Sequence, residues 1–443
     1  MNYRIKIVTV SFLLLRLTVF SQSNPVDSLP LLQQRAALED CIHYALEHQP
    51  VLRQQLIEEE ITRLEIRNRL ADWYPQVSFN YNLQHNFQRQ TSIFGGIAQQ
   101  IGTDNTSALQ FSLTQNLFNR DALLASRSRE DVLKQAGLIT SGDKIDIAVN
   151  VSKAFYEVLA AMQQIKIADE DIVRLERSLK DALSRYNAGI TDKTDYKRAT
   201  IILNNTRASR KGYEAGLRAR LQYLKSLMGY PPDGTLAIES DSLRMERETA
   251  LDTLQVPDYR NRVEYHLLET QKSLLQANLK YQKWSFLPSV SANGGYNLNF
   301  LNNDFGKLYN VNYPNSYAGI TLSLPIFQGG KRNNNIRIAE WQIAQTDWDI
   351  TALRNAVNAE YEQGLAAYKS NLANYLSIKE NLELARDVYN VIELQYRSGV
   401  KTYLEVITAE GDLRTARINY INALYQLLSS KVDVQRALGQ INY

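Results

Sequence analysis

The chain has 443 residues, 44% of them hydrophobic, with 50 Lys and Arg against 47 Asp and Glu and a formal net charge of +3. That composition supports a packed core and excludes a chain disordered throughout, and the balanced charge gives no footing for nucleic acid. A single cysteine, Cys41, excludes an intrachain disulfide, and Tyr outnumbers Phe 26 to 12, an amphipathic aromatic suited to interfaces and wet walls.

The N-terminus reads as a signal peptide over residues 1–21. Arg4 and Lys6 precede an apolar run over 7–20, and Ser21 offers a small residue for cleavage before Gln22. The run falls short of the ~20 apolar residues that a membrane span requires, and Arg16 interrupts it. No later stretch qualifies, so a membrane-resident form of the exported chain must be a closed β-barrel. Cys41 follows Glu39 and Asp40 rather than small residues, so it reads as part of an apolar helix face and not as a lipid attachment site.

A helical stretch is expected over 38–73. Beyond Pro75, Val77, Phe79, Tyr81 and Leu83 alternate with Ser78, Asn80 and Asn82, the period of a strand with one apolar and one uncharged polar face. Residues 88–106 read as a long polar outer loop, and Leu109, Phe111 and Leu113 resume the alternation. A very long helix is expected over 121–186, with apolar residues at Val151, Phe155, Val158, Met162 and onward in steps of three and four. A short Gly-containing turn leads to a helix over 194–228. The stretch from Gly229 to Pro257, rich in Pro, Asp and Glu, reads as an irregular link.

The order then repeats: helix over 258–286, strands around 290–300 and 318–324, a long helix over 334–396, a turn, and a helix over 402–438. Tyr186 and Tyr396, Gly189 and Gly399, and Asp195 and Glu405 are each 210 residues apart. A period this long implies two copies of one structural half rather than a solenoid. The divisions are 1–21, 22–229, 230–257 and 258–443. Gly294–Gly295 suggests a bulge or barrel bend. In the second long helix Tyr361, Tyr368, Tyr375, Leu382, Tyr389 and Tyr396 fall every seven residues, a packing seam. A helix of this length, about 100 Å at 1.5 Å per residue, needs neighbouring rods.

Enzymatic chemistry finds no support. His43, His48, His85 and His266 show no metal spacing, Gln328–Arg332 is not a phosphate loop, and no cofactor is expected. Asp169 and Asp171 lie on a helix of mixed charge and read as solvated. Four strands cannot close a barrel alone, since about eight is the practical minimum, so the chain must oligomerise; three copies give twelve strands.

The segments RYNAGITDKTDYKRA at the first turn, YRSGVKTYLEVITAE at the second and LPIFQGGKRN at the junction of strand and long helix resemble the TolC-like outer-membrane efflux family, and the resemblance covers nearly the whole mature chain. It implies a mainly α fold with a β-barrel part: long antiparallel coiled-coil helices forming a periplasmic tunnel, and four transmembrane strands per protomer in a twelve-stranded trimeric barrel. The linker would belong to an equatorial belt. The implied function is a passive exit duct in the outer membrane, serving a periplasmic adaptor and an inner-membrane pump of the RND or ABC type. The implied entrance gate is Asp195, Tyr396 and Lys401, with Lys in place of the family's Arg, and Glu405 at one acidic-ring position. The implied adaptor contacts are Gly189, Ile190, Gly399 and Val400. Some relatives are lipoproteins; this chain is not expected to be one. A periplasmic coiled-coil scaffold without membrane insertion is the competing reading, and it leaves the symmetric strands unexplained.

Overall fold

A computed structural model describes residues 35–239, 242–441 and 443; the expected signal peptide lies outside them. Helices α1 (Leu38–His48) and α2 (Pro50–Ala71) replace the single stretch expected over 38–73. Pro50 cannot continue a helix from α1, but its missing N–H costs nothing at the first position of α2. Strand β1 (Gln76–His85), a small hairpin of β2 (Gln90–Phe94) and β3 (Ile97–Ile101), and β4 (Asn105–Phe118) follow. Then come α3 (Arg120–Asn187), α4 (Lys193–Met228) and the short α5 (Ser242–Arg247). The second half holds α6 (Val263–Lys283), β5 (Ser289–Asn302), β6 (Asn312–Ser323), α7 (Lys331–Arg397) and α8 (Tyr403–Ala437).

The long helices α3 and α7 have 68 and 67 residues, and their return helices α4 and α8 have 36 and 35. Each long helix spans about 100 Å, and its return helix packs antiparallel over the half furthest from the strands. The rest of α3 packs against α2 and α6, and α6 also packs on α7. The end of α4 meets the start of α2, where the Gln49 side chain donates to the Leu227 carbonyl at 3.1 Å. Two shorter helices thus run end to end along one long one.

The core sits at mid-height. Val149, Phe155, Val158 and Leu159 of α3 bury against Leu424, Leu427 and Leu428 of α8, with Cys41, Met228, Ile238 and Met245 joining from α1, α4 and the linker. The tyrosine seam fastens this belt. Tyr361 and Tyr368 are buried with their hydroxyls donating to the Gln255 and Thr249 carbonyls of the linker, at 2.5 and 2.8 Å. A Tyr can fill such a site because its ring takes the apolar contact and its hydroxyl satisfies a backbone carbonyl that would otherwise be stranded.

The four-stranded antiparallel sheet has the order β1-β4-β5-β6. Registry places Phe79 beside Phe111 and Phe111 beside Tyr296 on one face, and Asn80 beside Gln110 and Gln110 beside Asn297 on the other. Every residue of β1 and of β6 is exposed, so among the described residues neither face of those strands rests on a core, and each carries an unpaired edge. Of the bulge or barrel bend expected at Gly294–Gly295, the bulge is not there. The ladder runs regularly through both residues, and the irregularity lies between Asn116 and Phe118. Gly295 instead leaves room for Tyr317, whose ring would lie 2.6 Å from any Cβ added there. The connection at 88–106, expected as plain loop, holds the β2–β3 hairpin, because Gly95 and Gly96 both take positive φ and supply a two-residue turn.

Candidate functional site

The strands lie at one end of the long helices and two turns at the other. In the first turn the Ile190 amide donates to the Arg185 carbonyl at 2.9 Å and the Gly189 amide to the Tyr186 carbonyl at 2.9 Å. In the second, Val400 donates to Gln395 at 2.9 Å and Gly399 to Tyr396 at 3.0 Å. Both are Schellman closures, and Gly189 and Gly399 sit at φ of 71° and 76°, where a Cβ would be strained. Ile190 and Val400 stand exposed at the tips.

The caps differ. At α4 the cap is Asp192, whose carboxylate accepts from the Thr194 amide. Hydrogen bonding to Thr194, from its side chain first and then from its amide, holds the Asp192 pKa below the usual carboxylate range. Asp195, one turn on, is pushed upward, first by burial and then by Asp192. At α8, Thr402 and Glu405 form a capping box: the Thr402 amide donates to Glu405 Oε2 at 2.9 Å, and Lys401 Nζ donates to Oε1 at 2.6 Å. These bonds, that from Lys401 foremost, pull Glu405 down to about 2. Lys401 therefore pairs within the protomer with Glu405, and Glu405 is the third-position acid of the α8 capping box.

Tyr396 lies between the hairpins. The Arg185 guanidinium stands 4.7 Å from its ring centroid, and the Tyr403 ring lies 5.8 Å away. Burial raises its pKa, and Arg185 opposes the rise. The structure thus gathers Tyr396 with Arg185 and Tyr403, and Lys401 with Glu405, at neighbouring tips.

Further up the helices is a cluster that periodicity missed. Asp171, expected to be solvated, is 1% exposed, and Glu410 is 4% exposed. Arg174 ion-pairs with Asp171 and lies 3.5 Å from Glu410, and Arg417 lies 3.6 Å from Asp171 while also pairing with Glu170. Burial raises the pKa of both acids against the pull of the arginines. Among the described residues, Asp171 Oδ2 and Glu410 Oε1 have no hydrogen-bond partner. This node joins the long helix of one half to the return helix of the other, beside a cleft of about 510 Å³ that reaches to Tyr396. The signal in the sequence was position: Asp171 lies between the apolar Ala168 and Leu175 of the buried face.

Two helical hairpins of about 100 Å, capped by a sheet with one apolar face, one uncharged polar face and two open edges, match a known architecture. The profile of the outer membrane efflux proteins covers residues 41–230 and 268–440. The chain belongs to that family. This outer membrane efflux protein is a transport protein of the outer membrane and not an enzyme. It is similar to the outer membrane protein TolC of Escherichia coli, 19% identical over 440 residues, covering 97% of this chain and 85% of TolC. It is also similar to the probable efflux pump outer membrane protein TtgC of Pseudomonas putida, 24% identical over 417 residues, covering 91% and 83%. Its fold matches that of the outer membrane protein VceC of Vibrio cholerae with a TM-score of 0.71 at 15% identity, covering 91% and 96%.

Proposed function

We propose that this efflux protein is the exit duct of a tripartite system, a homotrimer that conducts substrate passively from a periplasmic adaptor and an inner-membrane pump of the RND or ABC type. The observation that carries the reading is the sheet, whose outer strands β1 and β6 are exposed on both faces and, among the described residues, unpaired at their edges. Three such sheets joined edge to edge close a twelve-stranded barrel, apolar toward lipid and polar toward water. The halves 22–229 and 258–443 would each supply one long hairpin to the tunnel, and the linker 230–257 an equatorial belt. Ile190 and Val400, apolar and exposed beside Gly189 and Gly399, suit contact with an adaptor.

Assembly is tested by outer-membrane fractionation and by a heat-labile trimer on gels; a soluble periplasmic monomer would refute it. Phe79→Arg places a charge on the lipid face and should cost roughly 2–4 kcal/mol near midplane, whereas Asn80→Arg should be tolerated. Equal yields of the two would show that the faces are assigned the wrong way round.

The entrance gate we assign to Asp195, Tyr396 and Lys401. Asp195, held partly buried and outside the cap hydrogen bond, is the acid available to a neighbouring copy. Glu405 contributes by holding Lys401 in place, since the two are paired at 2.6 Å. Asp195→Ala combined with Tyr396→Phe should raise single-channel conductance in a bilayer without lowering trimer stability. Lower stability with unchanged conductance would remove these residues from the gate.

A further inference from the structure

The hairpin β2–β3 forms a two-stranded sheet of its own, separate from the four-stranded sheet. It lies between β1 and β4, and so at the end of the sheet away from the helices, the outer mouth of the proposed channel. Residues 90–102 contain no charged side chain. Their apolar residues gather toward the tip: Ile93, Phe94 and Ile97 are 75%, 60% and 73% exposed, flanking Gly95 and Gly96, while Gln90, Gln99 and Gln100 line the stem. A charge-free apolar tip left in water needs a partner.

The base of the hairpin is fixed. The Asn86 amide donates to the Asp104 carbonyl at 2.6 Å, the Asn86 side chain donates to the Thr103 carbonyl at 2.9 Å, and Arg89 pairs with Asp104 at 3.1 Å. The Asp104 amide in turn donates to Asn303 Oδ1 at 3.2 Å, tying the base to the connection between β5 and β6. The tip is therefore held out on a tethered stem.

Reach selects the partner. Twelve strands spaced about 4.8 Å apart and tilted about 40° enclose a barrel of roughly 12 Å radius. A five-residue strand extends about 17 Å at 3.4 Å per residue, and β2 and β3 have five residues each. A hairpin rooted on the wall can thus span to the axis. Lipid is the poorer match, because segments that lie on anionic headgroups carry Lys or Arg, and residues 90–102 have neither. We propose that the β2–β3 tips of three copies of this chain meet on the channel axis through Ile93, Phe94 and Ile97 and form an apolar lid over the outer mouth, separate from the entrance turns. The proposal rests on the trimeric channel reading.

Cysteine cross-linking in isolated outer membranes tests it. The chain's own Cys41 is buried, so Phe94→Cys introduces an accessible thiol. Mild oxidation of Phe94→Cys, and of Ile97→Cys as a second variant, should link two protomers in most trimers on non-reducing gels. Gln90→Cys at the stem should give none, since the three stems start at the barrel wall. Heat-labile trimers whose tip cysteines react with a membrane-impermeant maleimide yet never cross-link would overturn the lid while leaving the channel reading intact. Absence of any trimer would overturn both.

Discussion

The two turns at the far end of the helices share a backbone and differ in their chemistry. Each closes with the same pair of amide-to-carbonyl bonds around a glycine at positive φ. In the first turn the capping acid, Asp192, and the second acid, Asp195, are separate, and Asp195 is left out of the cap. In the second, one acid does both jobs available to it: Glu405 closes the capping box and takes Lys401. The difference teaches that an acid aligned between repeats by sequence need not keep its role. Asp195 and Glu405 occupy matching positions, yet burial raises the pKa of the first and hydrogen bonds lower that of the second to about 2.

The shared backbone is the part most exposed to refutation. Gly189→Ala and Gly399→Ala should each destabilise their turn by about 1–2 kcal/mol, the cost of a Cβ in the left-handed region. Hydrogen exchange of the turn amides reads this locally, and a marked inequality between the two would break the equivalence. A smaller effect separates the chemistries. Glu405→Ala should speed exchange several-fold at the start of α8, as loss of a cap does, and by releasing Lys401 should raise conductance less than Asp195→Ala does. Unchanged conductance would leave Glu405 to the cap alone. Asp195→Ala should show the reverse pattern, raising conductance while exchange at the start of α4 stays within about twofold of the parent, because Asp192 keeps the cap.

Acidification should give the smallest signal, and one that differs between the turns. The folded pKa of Glu405 is depressed, so its contribution is present above the ordinary carboxylate range and is lost as pH falls toward about 2. Asp192 behaves in the same sense, but the raised pKa of Asp195 works oppositely, adding stability as pH falls into the carboxylate range. Protection of the second-turn amides, measured against their intrinsic exchange rates, should therefore fall on acidification more steeply than at the first. Parallel profiles would show that the two turns carry the same electrostatics after all.

Much of the fold was legible because its elements are long and strictly periodic. The seven-residue tyrosine spacing predicted a seam, and Tyr361, Tyr368 and Tyr375 are buried in one. The alternation of Val77, Phe79 and Tyr81 with Ser78, Asn80 and Asn82 predicted a strand, and β1 spans them. What periodicity could not supply were local events. The Phe94-Gly95-Gly96-Ile97 hairpin signal was present but lay inside a stretch too polar to stand out. Gly295 was informative about the neighbouring ring of Tyr317 rather than about its own strand. Asp171 and Glu410 meet only because α3 and α8 pack together, and a charge on a mixed-charge helix reads as solvated until its partner helix is known.

The open strand edges also have a genetic consequence. The belt of each copy has its own core, whereas in the proposed ring β1 and β6 take their partners from other copies. In the proposed ring every copy must offer a sound β1 to one neighbour and a sound β6 to the other, so a single damaged edge leaves the whole ring unclosed. A variant with Pro placed in mid-β6 would fold its belt, enter rings and spoil them. Co-expressed in equal amount with the parent chain, it should leave only about one ring in eight wholly parental, assuming random mixing. Such an allele would act dominantly, with a loss of efflux far greater than the halving that a simple absence of protein from one gene copy produces.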